Sequence, residues 1–223
     1  MSSASARRPD PASHAVGTPV AAPGSLSVHD GSTGATQPDT EGGNVRYTDG
    51  PSVACDLYVE AAPPRVWELV TDIHLPARLS PELQRVEWMD GADSPKLGAS
   101  FVGYNRHEQI GEWRTVCRVV ELEEQRRFGW IVLDVDGRFA GPDGDHSEPA
   151  ATWCFEIEPE TTGTRLRQTA RIGPGRSGIN LFIDMVPESE EDLVAFRLGQ
   201  LRTNMDAGLQ NIKGLAEGDR RLL

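Results

Sequence analysis

The sequence predicts an α+β fold in which a curved, seven-stranded antiparallel sheet wraps around one long C-terminal helix. Residues 189–218 place apolar side chains every three or four positions, the period of an amphipathic helix about 40 Å long at roughly 1.5 Å per residue. The hundred or so residues before them alternate apolar and polar side chains, as strands with one covered face do. This helix is the only segment long enough to cover such a sheet.

Length, charge and cysteine content limit the class of protein. The chain has 223 residues, a net charge of −12 and a pI near 4.9, which argues against nucleic-acid binding. No run of about 18 apolar residues is present, so we expect no membrane span. Arg7 and Arg8 are not followed by an apolar stretch, so we expect no secretory signal and a cytoplasmic protein. Cys55, Cys117 and Cys154 form no CxxC pair and are interpreted as buried, reduced thiols.

The composition divides the chain into a leader, one domain and a short tail. Residues 1–46 are mostly Ala, Ser, Pro, Gly and Thr, and such a segment buries too little apolar area to offset its ordering entropy. We therefore predict a disordered leader, either a solvated extension or a tether for a partner. Residues 47–218 are expected to form the domain, and residues 219–223 a tail.

The domain is predicted to begin with a strand at 53–59 and two short helices. Alternation places Val53 and Val59 on one face of that strand. Pro63 and Pro64 suit the first turn of a helix at 65–72, and a second helical turn at 73–81 ends at proline. Six further strands follow at 83–89, 99–106, 113–122, 127–134, 151–158 and 164–172, the last two joined by a turn at 160–163.

The long helix carries its own terminal signals. Ser189 followed three residues later by Asp192 is a capping-box pattern, and Glu190 and Glu191 lie near the positive end of the helix dipole. Gly218 is placed to end the helix. Leu201 and Met205 belong to the apolar stripe and are predicted to face the space under the sheet.

Isolated polar residues fall on the covered face of the sheet and are the first candidate ligand contacts. Asn105, Thr115, Cys117 and Gln168 all take inward positions by alternation. They either direct hydrogen bonds to a carbonyl or hydroxyl of a ligand, or satisfy one another or a buried water. A carboxamide is poorly suited to a strand interior, which makes Asn105 the strongest candidate.

Five aromatic residues are predicted to line the same space as those polar groups. Each either forms a ligand wall or belongs to the ordinary core, and both roles bury a large apolar area. They are Trp88, Phe101, Trp113, Trp130 and Trp153.

The segment at 179–186 is too apolar for a free loop. We predict that it covers the pocket mouth with Phe182 and Met185 inward; the alternative is a packing plug between sheet and helix. The preceding GPGRSG at 173–178 matches G-x-G-x-x-G literally. A dinucleotide site needs a parallel βαβ unit, which is not predicted here, so we expect no cofactor.

No catalytic or metal-ligating residue can be assigned from the sequence. No histidine falls clearly on the inward face, and Glu108 and Glu112 flank a predicted hairpin turn where solvated charges are usual. The polar stretch at 143–148 lacks the twelve-residue calcium-loop pattern, so we interpret it as a polar loop and expect no metal.

Seven short stretches, taken in order, carry a resemblance to a known family. They are PPRVW at 63–67 with Asp72, FVGYNR at 101–106, WRTVCRV at 113–119, RFGW at 127–130, TWCFEIEP at 152–159, GTRL at 163–166 and LQNIKGLAE at 209–217. Together they resemble the SRPBCC superfamily, whose START-like members have a helix-grip fold. The polyketide cyclase/dehydrase-like branch, common in actinobacteria, is most similar.

The resemblance implies a pocket for a hydrophobic small molecule such as a polyketide, a lipid, a sterol or an aromatic compound. Some members catalyse cyclisation, aromatisation or dehydration, and others only bind or carry, so fold alone does not decide. Three functions stay open: a binding protein that also catalyses cyclisation or dehydration, a non-catalytic carrier or sensor, and a protein–protein adaptor. A homodimer is a further open alternative.

Overall fold

The computed structural model describes residues 45–80, 82–108, 111–141 and 143–218. Nearly all of the predicted leader and the whole predicted tail lie outside these residues. The described chain begins with a 3₁₀ turn at Tyr47–Asp49. Among the described helices, none combines the length and the apolar character needed to cross a bilayer.

Apart from a short helix before the long one, which was predicted only as an apolar segment, the order of elements agrees with the prediction to within a few residues. The strands are β1 (Ser52–Val59), β2 (Leu83–Trp88), β3 (Ser100–His107), β4 (Gly111–Glu123), β5 (Arg127–Leu133), β6 (Ala151–Pro159) and β7 (Thr164–Ile172). The helices are α1 (Pro63–Thr71), α2 (Leu75–Leu79), α3 (Gly178–Met185) and α4 (Glu190–Ala216). The predicted tight turn between β6 and β7 is confirmed, because the Glu160 N–H donates to the Gly163 carbonyl at 2.9 Å.

The seven strands form one antiparallel sheet in the order β1-β7-β6-β5-β4-β3-β2. Strands β2 to β7 make a meander, as short connections favour. The first strand instead pairs with the last, Ser52 opposite Arg171 and Val59 opposite Thr164. Helices α1 and α2 therefore carry the chain from one edge of the sheet to the other.

One face of the sheet is apolar and the other is charged. The register places Trp130 opposite both Val119 and Trp153, and Trp153 opposite Ala170, so these side chains share the inward face. The outward face carries ion pairs between neighbouring strands, such as Arg165 with Asp56 at 2.9 Å. This is the half-covered sheet that alternation predicted.

Helix α4 grips the sheet along one edge. It packs mainly against β1, α1 and α3. Its buried side chains are Val194, Leu201, Met205, Leu209, Ile212 and Leu215. Near its C-terminus the Lys213 ammonium donates to the Tyr58 carbonyl at 2.9 Å, and the Glu217 carboxylate accepts the Glu60 N–H at 2.7 Å. These bonds fix the helix to the end of β1.

The predicted capping box at the start of α4 is wrong. Ser189 ends a 3₁₀ turn, Pro187–Ser189, and has φ −103° and ψ 13° instead of the extended backbone that a capping residue needs. Its side chain makes no cap hydrogen bond. Glu190, in the first turn of α4, accepts the Tyr47 N–H at 2.9 Å, so its carboxylate ties the turn before β1 to the helix.

The prediction of three buried thiols is correct for Cys55 and Cys117 and wrong for Cys154. All three are free cysteines, but Cys154 is only partly buried. It lies on the outward face of β6, with its sulfur 3.8 Å from the Arg127 guanidinium. Alternation puts it opposite to the inward Trp153 and Phe155, so the neighbouring aromatic residues do not bury it.

Candidate functional site

The candidate site lies at the end of the sheet where α4 begins. The antiparallel register brings the ends of β3, β5 and β7 together with the starts of β2, β4 and β6 at this end. The connection from β7 to α3 is fastened there by Tyr47, whose hydroxyl donates to the Gly175 carbonyl at 2.6 Å and shares a 3.0 Å hydrogen bond with the Ser177 hydroxyl. Helix α3 and the loop from β5 to β6 lie at this same end of the sheet, which is called the opening below.

Four of the predicted aromatic residues form one continuous wall on the inward face, here called the aromatic wall: Trp88, Phe101, Trp130 and Trp153. Ring centroids are 5.6 Å apart for Trp88 and Phe101, and 6.4 Å for Phe101 and Trp130. The Trp130 and Trp153 rings are stacked, with their centroids 6.3 Å apart and an angle of 8° between their planes. The three tryptophans are only partly buried although they face the helix side. Helix α4 packs mainly on β1, and these three tryptophans keep part of their surface accessible.

The predicted polar contacts are brought together only in part. The Asn105 amide donates to the Thr115 hydroxyl at 3.4 Å and to the Gly103 carbonyl at 3.3 Å, both long for hydrogen bonds. Gln168 is partly buried on β7, opposite Cys55 and Phe155. Asn105 and Thr115 are therefore hydrogen-bonded to each other, as one of the two predicted alternatives has it, but the bond is long and weak.

Neither buried thiol is suited to nucleophilic chemistry. Burial raises the pKa of Cys117 to about 12, with a smaller opposing effect from its hydrogen bond with Thr115. Burial also raises the pKa of Cys55 to about 11, and the nearby Asp206 carboxylate adds to the shift. Both thiols stay protonated at neutral pH, and the thiolate is the nucleophilic form. The inward face is thus chemically neutral at these positions.

Three of the remaining predicted contacts are inward but do not extend the wall. Leu201 and Met205 are buried on the core side of α4. Trp113 packs edge-on against Phe139 of the β5–β6 loop at 6.1 Å, so it borders the opening beside the aromatic wall. These positions agree with the inward orientation that the sequence predicts.

The predicted lid segment forms helix α3, and one of its two predicted inward residues is placed wrongly. Phe182 is partly buried, and Ile179 and Ile183 pack on the core, so a stripe of helical spacing faces inward. Met185 is 75% exposed. It follows Ile183 by two residues, about 200° around a helix, so it faces solvent.

Sequence reasoning missed several residues that shape the site. Phe128 and Phe155 contact the Trp130 ring at 5.2 and 5.9 Å, and alternation along β5 and β6 could have added both to the wall. Asp134 is buried, and its carboxylate accepts the N–H groups of Arg138, Phe139 and Ala140, which folds the β5–β6 loop over this end of the sheet. No sequence pattern marked that role.

An open groove of about 530 Å³ lies at the starts of β2 and β4 and the end of β3, and of the predicted ligand contacts it includes Asn105 and Trp113. Its lining residues are Gln84, Arg85, Tyr104, Asn105, Arg106, Glu112, Trp113 and Arg114. Arg85 lies 4.0 Å above the Tyr104 ring, and Arg114 forms two 2.7 Å bonds with Asp136. A hydrophobic molecule there would contact charged groups, whereas the aromatic wall offers apolar surface.

An ion pair connects α4 to the far edge of the sheet at the same opening. Arg197 Nη1 lies 3.4 Å from Glu82 Oε1, just before β2. Among the residues that the structure describes, no three His, Cys, Asp or Glu side chains are grouped to hold a metal ion.

Comparisons with known proteins agree with the fold. The family model described as polyketide cyclase/dehydrase and lipid transport matches residues 52–217. A solution structure of a Polyketide_cyc-like protein from Corynebacterium glutamicum is 27% identical, with a TM-score of 0.50, covering 74% of this chain and 91% of that one. A search of curated proteins gave no match.

Two di-domain ARO/CYC crystal structures are similar in fold alone. StfQ, from the steffimycin biosynthetic pathway, is 15% identical with a TM-score of 0.54, and 74% of this chain matches. BexL, from the BE-7585A biosynthetic pathway, is 18% identical with a TM-score of 0.53, and 75% of this chain matches. In both, the match covers 50% of the di-domain chain.

Proposed function

The chain belongs to the polyketide cyclase/dehydrase and lipid transport family, and we propose that its domain binds a hydrophobic, aromatic small molecule between the sheet and α4. The family and the fold support a hydrophobic ligand, and the aromatic wall favours a flat one.

The observation that carries the proposal is the partly exposed Trp130–Trp153 stack on the inward face. Removing apolar surface from water is favourable, so a ligand that covers about 100 Å² of these rings gains on the order of 2.5 kcal/mol of binding free energy. A flat ligand that packs on the rings adds roughly 0.5–1.5 kcal/mol from ring–ring geometry. The weak bond between Asn105 and Thr115 can be exchanged for bonds to a carbonyl or hydroxyl of the ligand.

The binding proposal is tested with the fluorescent apolar probe N-phenyl-1-naphthylamine. We expect saturable binding to the full chain, and at least about tenfold weaker binding to Trp153→Leu, because the stacked ring is lost. Phe196→Leu is the matched control, since Phe196 is an aromatic residue of α4 that is 66% exposed. Absence of saturable binding, or equal effects of the two substitutions, would refute the site.

Catalysis is a second candidate function, because the family description names cyclases and dehydrases beside lipid transport. Aldol-type cyclisation or dehydration can be driven by holding a flexible chain in a reactive conformation in a dry pocket, with Asn105 and Thr115 orienting a carbonyl. Native mass spectrometry of the protein purified from its own host separates the two functions. A retained, unaltered lipid or aromatic compound favours a carrier, whereas empty protein that converts an added poly-β-ketone favours an enzyme.

A further inference from the structure

Arg197 is a charged residue within the core-facing stripe of α4. It lies one turn after Val194 and one turn before Leu201, both of which are buried. Its side chain is 31% exposed, so the guanidinium is neither fully solvated nor enclosed. Placing a charge in this stripe costs desolvation energy, and the apolar neighbours do not account for it.

Glu82 gives Arg197 a partner on the opposite side of the opening. α4 packs on β1 at one edge of the sheet, whereas Glu82 lies immediately before β2 at the other edge. The Glu82 carbonyl accepts the Arg106 N–H at 2.9 Å, and the next residue, Leu83, pairs with Asn105. The guanidinium is therefore held over the opening, near the strand position of the inward Asn105.

The geometry of this ion pair is weak for a structural link. The Arg197–Glu82 distance of 3.4 Å and the 3.3 Å bond from Arg197 to the Gln200 amide oxygen both exceed the roughly 2.7–2.9 Å of good charge-assisted hydrogen bonds. The pair is a single long contact between two side chains that both stay partly accessible, and an ion pair without bidentate geometry contributes little to stability. Glu82 can thus be displaced from Arg197 at small cost.

Net charge explains why an acidic ligand would need such a group. At −12 the chain repels anions at long range, so an anionic ligand is retained only beside a local cation. A guanidinium presents a planar set of donors that fits both oxygens of a carboxylate. The aromatic wall supplies apolar surface for the remainder of such a molecule.

We propose that Arg197 is a specificity-determining residue that binds the acidic group of an aromatic ligand, which takes the place of the Glu82 carboxylate. The proposal rests on the proposed function, since it needs a ligand on the aromatic wall. It narrows the ligand class to aromatic acids: flat apolar molecules with a carboxylate or a comparably acidic group at the end that faces the opening.

The test uses two probes with the same ring skeleton. N-phenyl-1-naphthylamine is neutral, and 1-anilinonaphthalene-8-sulfonate adds one anionic group. In Arg197→Gln we expect sulfonate affinity to fall at least about tenfold while affinity for the neutral probe changes less than about twofold, because only the charge-assisted bond is lost. In the unaltered protein, high salt should weaken binding of the sulfonate probe and leave binding of the neutral probe unchanged.

Two further variants keep the test decisive. Arg202→Gln removes an exposed guanidinium from the same helix and should change neither affinity. Glu82→Gln removes the competing carboxylate and should raise sulfonate affinity severalfold, which is an informative result even if Arg197→Gln does not fold. If Arg197→Gln changes the affinities for both probes equally, or changes neither, the proposed role of Arg197 in binding an acidic group would be overturned. Failure of the neutral probe to bind the unaltered protein would instead refute the proposed function, and the role of Arg197 with it.

Discussion

Replacing Tyr47 with phenylalanine removes one hydroxyl from the contact between the turn before β1 and the connection leading to α3. Tyr47 is 3% exposed. Its hydroxyl donates to the Gly175 carbonyl at 2.6 Å and shares a hydrogen bond with the Ser177 hydroxyl, which also belongs to the start of α3. The ring itself is retained, so the substitution tests the polar contacts alone.

The expected loss follows from leaving a buried acceptor unsatisfied. A typical hydrogen bond contributes about 0.5–1.5 kcal/mol, and an orphaned buried group costs about 1–3 kcal/mol. We expect Tyr47→Phe to lower the free energy of unfolding by about 1–3 kcal/mol, measured by urea denaturation with an unchanged m-value. Amide hydrogens of α3 should exchange faster than those of β5 and β6, because the loss is local.

The pH dependence has a definite sign. Burial raises the pKa of Tyr47. Smaller effects lower it, and the largest of these is the hydrogen bond with Ser177. An acid whose folded-state pKa exceeds the unfolded value near 10 contributes stability below that unfolded value. The contribution is then lost as pH rises from about 10 through the raised pKa, because the unfolded chain releases the proton more readily.

The unaltered protein should therefore lose stability above pH ~10 more steeply than Tyr47→Phe. Thr48→Ala, an exposed neighbour, is the control and should match the unaltered protein. Unfolding free energies for Tyr47→Phe within about 0.3 kcal/mol of the unaltered protein, with unchanged α3 exchange, would show that these bonds do not hold the connection.

Three other substitutions or reactions test the core, the thiols and the polar contact. Leu209→Ala should cost about 2–5 kcal/mol in urea unfolding, because Leu209 is 1% exposed; a cost as small as that of Phe196→Ala would contradict the packing. With a thiol-specific disulfide reagent, Cys154 should react in the native state while Cys117 reacts only on unfolding; equal rates would place Cys117 nearer solvent. Asn105→Leu should weaken binding of a carbonyl-bearing naphthalene probe by roughly two- to tenfold and spare N-phenyl-1-naphthylamine; unchanged binding would remove Asn105 as a polar anchor.

Strand positions and inward faces were predictable because one local rule determines both. Alternation along β6 puts Trp153 and Phe155 inward whatever their partners are, and glycine or proline marks most strand ends. The stripe of α4 follows its own period in the same way. The inward aromatic wall could therefore be inferred from the sequence before any pairing was known.

Features that depend on distant residues could not be predicted in this way. Arg197 and Glu82 lie 115 residues apart, and no local period marks a pair of that kind. The Ser189 pattern suggested a capping box, but the 3₁₀ turn before α4 changed the backbone on which that cap depends. Met185 was placed inward by composition, although its exposure depends on which side of α3 meets the core.

The pairing of β1 with β7 delays completion of the sheet. Ser52 meets Arg171, so the first strand has no hydrogen-bonding partner until more than about a hundred further residues have been synthesised. During synthesis on the ribosome, β1 would stay unpaired while the meander from β2 to β6 forms, and unpaired strands of this kind are prone to aggregation. Closing this long loop is thus expected to dominate the contact order of the domain and to slow its folding.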